Sequence, residues 1–523
     1  MAAMAKSRRH WAAIAVVLTW GGALTWLALR RTGQSDLSLI ASQASLRLAP
    51  GDAWFRVMAG DVQIGYAGIT LDTLADGSYR IRELLTLELP RDTALTRAIR
   101  STEYFLGGTL GVDSLSSRFT RPGRQTEIRV RGDGPAWQLT SEGAGPPVSA
   151  RLEVVDRGRA PAAIPVPLLV APLRLALVGA LAARDGRTMP MAGGWPPVAW
   201  STTIVPDGDS TAVYADSSDV DPVTGEWTAV AWDTTETRAL VIDAPDGPVR
   251  LVVGPRGTVV SIEHALGVRW LREDFSVARL NFRGALEAGR ILAALPVMAW
   301  GSLRPAPGDT ATTASNYAVT RRGGSPINAN LMRLLAGGRQ QVSSVGLVVL
   351  SRGAAPRPGT GPSHDPLIQD GDSAIAALHT ELQPLIEAGN FRQVVRVLRA
   401  RVAVDTALDL PEDAAGALRL GRARPEGLGR VLAAVLTRAG YRAHLVVGVQ
   451  PAGDTLYTHA WIEASRRIDG WEQVLDPLTG QTPPTTWVRV AVAGSAAPED
   501  LLPLVADVRF TLVTPPANEG AAP

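Results

Sequence analysis

Residues 426–477 decide the reading of this chain: EGLGRVLAAVLTRAG (426–440), YRAHLVVGVQ (441–450), YTHAW (457–461) and WEQVLDP (471–477). Glu426–Arg438 spaces Leu428, Val431, Leu432, Val435 and Leu436 along one face of a helix, and Gly440 follows where a helix-ending glycine belongs. Ala443–Val449 is a continuous apolar run suited to a buried strand. Tyr457, His459 and Trp461 alternate along a further strand, and Trp471–Leu475 makes another that stops at Asp476-Pro477. The order is a helix and three strands, with His on the second strand and Asp at the end of the third.

That order, with Arg438-Ala439-Gly440-Tyr441-Arg442-Ala443, His459-Ala460-Trp461 and Trp471 through Asp476-Pro477, resembles the transglutaminase-like superfamily, relatives of papain-type cysteine proteases. The family pattern runs roughly G-R-G-x-C-x-E-x-A, then R-A-x-G-I-P-A-R, then H-A-W and W-x-x-x-D-P. The likeness covers roughly 373–515 and implies a helix-plus-antiparallel-sheet domain over 373–523, with His459 and Asp476 at two triad positions. The first motif departs. Counting back from Gly440 lays Gly421–Gly429 on the cysteine motif, and the nucleophile position falls on Pro425.

In an active member a thiol at a helix N-terminus is held as thiolate by the helix dipole and a neighbouring imidazolium, while histidine moves the proton and aspartate orients the ring. Proline has neither a proton to give nor a lone pair free to attack, yet it suits the first helical position. No Ser, Thr or Cys lies between Gly421 and Leu436. Glu426 is the ionisable group next to the lost thiol. A Glu–His–Asp set is one route to general acid–base hydrolysis, but a Glu in a first helical turn also interacts favourably with the dipole and needs no other role. His459 is likewise open to two readings, an inherited catalytic position or a side chain that now only braces Asp476. Trp461 and Trp471 are aromatics at family positions that pack the sheet or line a cleft. His264, His364, His379 and His444 show no metal-ligand spacing, and no cofactor is expected.

Upstream the signals are those of strands and turns. Val62–Leu71 and Ser78–Leu89 alternate around Asp76-Gly77, a strong hairpin turn. Trp227–Trp232, Thr237–Asp243, Val249–Val253 and Thr258–Glu263 form a meander punctuated by Pro245-Asp246-Gly247 and Gly254-Pro255-Arg256-Gly257. Helical spacing is confined to Leu286–Leu295. The expectation for 52–353 is one large antiparallel β-rich domain, a curved sheet or half-open barrel. Gly65-Tyr66 gives a short resemblance to β domains that precede bacterial transglutaminase-like domains. The Pro/Gly-rich stretch 354–372 reads as a linker, after which Ser373–Ala388 and Phe391–Val402 turn helical. The fold class is therefore α+β.

Trp11–Leu29 is an uncharged apolar run of 19 residues, long enough to cross a bilayer core of about 30 Å. Lys6, Arg8 and Arg9 precede it, which directs residues 1–10 inward and leaves 30–51 as a linker on the far side. A cleaved signal peptide is the other reading. The length of the run, the arginines Arg30 and Arg31 just after it and the lack of a small-x-small site weigh against that. The expected place is a bacterial cell membrane, with the bulk of the chain in the periplasm. Charge is balanced, 52 basic against 50 acidic residues, and no basic block follows a phosphate backbone, so nucleic acid is not an expected partner. Cysteine is absent, which excludes disulfides and thiol chemistry throughout.

These readings lead to a membrane-anchored pseudoenzyme that binds a protein or peptide without turning it over. Two alternatives stay open. One is a hydrolase that uses His459 and Asp476 with a nucleophile other than Cys. The other is a carrier of apolar ligands through the β domain.

Overall fold

Between Val62 and Arg91 the chain doubles back at Leu74–Ser78. Gly77 takes a φ of 79°, where a Cβ would be strained, and Asp76 Oδ1 accepts the Ser78 backbone N–H at 3.0 Å. The flanking strands stay in register from Thr73↔Tyr79 to Gly65↔Leu87. Antiparallel pairing of successive strands builds the largest feature of the protein.

The structure, a computed structural model, describes residues 51–513 apart from 92–93, 108–111, 122–123, 134–135, 143–147, 154–187, 194–197, 245–246, 255–258, 265–266, 285–286, 301–313, 323–334, 338, 344–346, 352–366, 407–412, 467–471 and 493–497. The expected tail 1–10, membrane helix 11–29 and all of the linker 30–51 but its last residue, Gly51, which begins the first strand, lie outside the described residues. Among the described residues no helix is long and apolar enough to cross a membrane.

Eight strands come first: β1 (Gly51–Ala59), β2 (Val62–Thr73), β3 (Tyr79–Arg91), β4 (Ala94–Leu106), β5 (Val112–Arg121), β6 (Arg124–Asp133), β7 (Ala136–Glu142) and β8 (Val148–Glu153). Six more follow: β9 (Thr188–Gly193), β10 (Val198–Val220), β11 (Trp227–Ala244), β12 (Gly247–Val253), β13 (Val259–His264) and β14 (Arg269–Glu273). All join one 14-stranded antiparallel sheet that runs from β8 stepwise to β1, then to β14 and stepwise back to β9. The junction is β1 on β14, with Val57 opposite Trp270. The sheet curls enough to bring β10 close to both β8 and β14.

Period-two alternation puts an apolar row across one face, where Leu240, Leu251, Ile262, Trp270 and Val57 are successive cross-strand partners, all buried. On β3–β5 the same face turns polar. Tyr104 donates to buried Glu83 at 2.8 Å, the Thr102 and Ser117 hydroxyls pair at 2.8 Å, and Arg100 is buried beside them. The opposite face of β1–β3 is covered by the segment after β14. There a π-helical turn, Ser276–Leu280, and the helix α1 (Ala288–Ala294) follow one another. Phe275 meets Trp54 edge-on at 4.7 Å, and Phe282 meets Tyr66 at 6.0 Å.

The C-terminal part contains the helices α2 (Ser373–Glu387), α3 (Phe391–Arg401), α4 (Ala414–Leu420), α5 (Pro425–Arg438) and α6 (Pro498–Val505). Its strands are β15 (Val297–Trp300), β16 (Ala314–Arg321), β17 (Gln340–Val342), β18 (Leu347–Ser351), β19 (Ala403–Val404) and β20 (Arg422–Ala423), then β21 (Tyr441–Ala452), β22 (Thr455–Arg466), β23 (Glu472–Leu475), β24 (Val488–Val492) and β25 (Val508–Val513). One sheet has the order β15-β22-β21-β24 with β23 on β22, and a four-stranded sheet has the order β17-β18-β16-β25.

Strand pairing does not follow the composition break at 354–372. β15 pairs in parallel with β22, and β16 pairs with β25, so these two strands are hydrogen-bonded into the same sheets as the last third of the chain. Sequence composition marks exposed, loop-forming stretches and carries no information about which strand a later strand will seek.

His264, the last residue of β13, is buried, and burial pushes its pKa down from 6.5 to about 4. The unfolded chain therefore binds a proton that the folded one refuses between those values. This group's stabilising contribution is complete above 6.5 and is lost as the pH falls toward 4, by about 3 kcal/mol in all and about 2 kcal/mol between pH 7 and 5. His264→Phe is expected to shrink the pH 7-to-5 drop in unfolding free energy by about that amount. Urea titrations at the two pH values test this, and an undiminished drop in the variant would refute it.

Candidate functional site

The helix α5 begins at Pro425 because proline at the first helical position gives up only an N–H that has no partner in the helix. The preceding turn is set by α4, which is capped by the Asp413 carboxylate on the Gly416 N–H and ends on Gly421 in the left-handed region. Amphipathic spacing places one face of α5 against a core. The structure buries every residue from Pro425 to Leu436. Leu445 and Ile462 of the sheet approach on one side of it, and α2 brings Ile375, Leu378 and Leu382 to the same core. Burial of polar side chains follows, and at the helix start two of them pair. Glu426 Oε1 accepts from Arg424 Nη2 at 3.0 Å, with both side chains nearly enclosed. Burial also raises the Asp413 pKa, against its bond from Gly416 N–H and the nearby charges of Arg419 and Arg430.

Fourteen residues of helix rise about 21 Å, and the strand returning from Tyr441 covers about 23 Å in seven steps. Gly448, seven residues into that strand, has His459 as its cross-strand partner. Gly448 is required there. A Cβ on it would stand 2.3 Å from Trp461 Cη2 and 2.4 Å from the Val488 carbonyl oxygen, because the Trp461 ring lies across that position.

His459 and Asp476 are brought together, Nε2 to Oδ1 at 3.3 Å. The loop after β23 holds the carboxylate: Oδ1 also accepts the Leu478 N–H at 2.7 Å, and the Asp476 carbonyl accepts the Gly480 N–H at 2.8 Å. Burial works to raise the Asp476 pKa, but the hydrogen bond and charge of His459, the Leu478 N–H and the Thr479 side chain outweigh it and hold the group below the usual carboxylate range. The His459 ring is buried and packs at 5.2 Å from the ring of Trp487.

Trp487 joins Val446, Trp461, Val474 and Val492 in a small cluster of their own. Ala460 and Ile462, the strand neighbours of opposite parity, belong instead to the main core with α5. His459 thus shares the sheet face of Trp461 and Trp487, while the turn after Asp476 touches the helix: the Pro477 ring is 3.7 Å from where a Cβ on Gly429 would be. Trp461 packs in this cluster and donates to Glu463 at 3.3 Å. Trp471 lies outside the described residues. Trp487 is the side chain of the site that sequence reasoning missed. Its signal was an isolated aromatic between Pro483-Pro484 and an apolar strand.

Chemically, the arrangement holds an imidazole through one nitrogen and pairs it with an ionised carboxylate. The acid at the helix start is committed to an arginine. No protein-family model matches the chain, and no curated protein does. Among solved structures it is similar to a β-barrel-like protein of a domain of unknown function, DUF1849, from Brucella abortus, at 12% identity and a TM-score of 0.30, covering 43% of this chain and 96% of that one.

Substituting Gly448→Ala is expected to cost about 1–3 kcal/mol, because Trp461 must leave its place over the strand and Trp487 and His459 with it. A urea midpoint unchanged from the parent would show that the ring does not lie there.

Proposed function

We propose that this chain is a non-catalytic, polypeptide-binding protein of transglutaminase-like ancestry, tethered to a bacterial membrane through Trp11–Leu29 with its bulk outside the cytoplasm. The observation that carries the reading is Pro425 at the first position of α5 in a chain whose His459 and Asp476 remain paired. A ring nitrogen closed into a peptide bond cannot attack a carbonyl or give up a proton. Glu426 does not replace the thiol as a base, since its carboxylate is tied to Arg424.

The hydrolase alternative retains the His–Asp pair in its favour, but the position expected to hold the nucleophile is Pro425. For the carrier alternative, the β3–β5 part of the sheet face is lined by Glu83, Arg100, Thr102 and Ser117, which do not suit an apolar ligand.

The purified full chain is expected to show no amidase, protease or amine-incorporation activity above background. A rate that His459→Ala abolishes would overturn the proposal.

Ancestry is tested separately by Pro425→Cys, which creates a single thiol in a chain that has none. If the old constellation persists, its alkylation by iodoacetamide titrates below the ordinary thiol value of about 8.5, and His459→Ala moves it upward. An unshifted thiol that ignores His459 would separate this chain from the superfamily.

A further inference from the structure

The hairpin of β10 and β11 is the one place where the described residues expose large apolar side chains together with a one-signed charge. Between Thr211 and Glu236 stand six carboxylates, Asp216, Asp219, Asp221, Glu226, Asp233 and Glu236, with no Lys, Arg or His, in a chain of net charge +2. Ahead of that stretch, Asp207 and Asp209 are already matched by Arg250 and Arg238. Asp233 accepts the Tyr214 hydroxyl at 2.7 Å, and Arg272 lies over the same ring. Among the described residues Asp216, Asp219, Asp221, Glu226 and Glu236 have no ion-pair partner.

The hairpin is held firmly on its inner side. Tyr214 packs with Ala239, Val252 and Val260, and the Ser218 hydroxyl bonds Asp274. The Asn281 side chain pairs with both backbone groups of Trp227, at 2.8 and 2.6 Å. On its outer side, large apolar side chains are exposed. Val213 faces Thr234 and Ala215 faces Trp232 across the pair, so Val213 and Trp232 are diagonal neighbours on one face. Their exposures are 57% and 59%, and Val230 on the same strand reaches 60%.

We propose that this outer face docks a basic polypeptide segment in which Arg or Lys alternates with apolar residues. The indole face of Trp232 would take a guanidinium by cation–π contact, the carboxylates around it would match the remaining cations, and the valines would bury the partner's apolar side chains. The charge decides the occupant. An anionic lipid surface is repelled by the five unpaired carboxylates, and an acidic or neutral peptide leaves them unmatched. The rigid inner packing means that the face is presented already formed, which lowers the ordering cost of binding. The surface is independent of the His459 site and of any reading of it.

The test uses the full chain and a fluorescein-labelled Arg-Val repeat octapeptide, with Glu-Val and Ser-Val octapeptides as controls, followed by anisotropy at low and high salt. The Arg-Val peptide is expected to bind, to weaken as salt rises, and to lose at least about tenfold in affinity in Trp232→Ala and severalfold in Asp219→Asn/Glu236→Gln. Thermal unfolding of the variants is expected to match the parent. Equal binding to Trp232→Ala, or equal binding of the Glu-Val control, overturns the proposal. So does self-association of the chain, or adhesion to phosphatidylcholine vesicles, that Trp232→Ala removes, since either would give the face a different occupant.

Discussion

The constraint on which the C-terminal half depends is the complete enclosure of α5. A helix with only one buried stripe tolerates polar residues elsewhere, but this one is closed in from Pro425 to Leu436, so every polar group on it needs a partner inside the protein. The Arg424–Glu426 pair answers that need at the start of the helix. Gly429 allows Leu445, Ile462 and Pro477 to close on its backbone. Once α5 is fixed, the strand that returns from Gly440 has its register set. His459 and the loop bearing Asp476 then meet as a result of packing, whether or not chemistry follows.

This order of causes lets packing alone hold a His–Asp pair in place. His459 is buried, bonded to the partly buried Asp476 and backed by Trp487, so removing the carboxylate leaves an enclosed imidazole without its partner. Selection for a stable fold is enough to keep both. The position at the head of the helix carries no such obligation, and proline there is favourable to the helix itself.

The local elements were largely legible in the amino-acid sequence. Asp76-Gly77 announces its hairpin because the turn chemistry is confined to two adjacent residues, and the spacing of Leu428, Val431, Leu432, Val435 and Leu436 announces α5. The pairing of His459 with Asp476 was open to inference through the order of motifs. What could not be read were matters decided by distant partners. The second burying surface of α5 is supplied by α2 about fifty residues earlier, Trp487 reaches the site from beyond a proline turn, and β15 and β16 leave the β-rich stretch to join strands far downstream. The commitment of Glu426 to Arg424, two residues away, was also missed, because residue spacing alone does not show that both side chains are shut off from water.

The pairing of Ala314–Arg321 with Val508–Val513 has a consequence for biogenesis. As the chain emerges from the ribosome or a translocation channel, its first fourteen strands meet their neighbours early, mostly within a hairpin's length. The strand at 314–321 has to wait for almost two hundred further residues before its final neighbour is made. During that interval its edge is open to other chains. A nascent protein of this design therefore has its period of greatest exposure to misassembly late in synthesis, and a chaperone that shields the middle of the chain would matter more than one that greets its beginning.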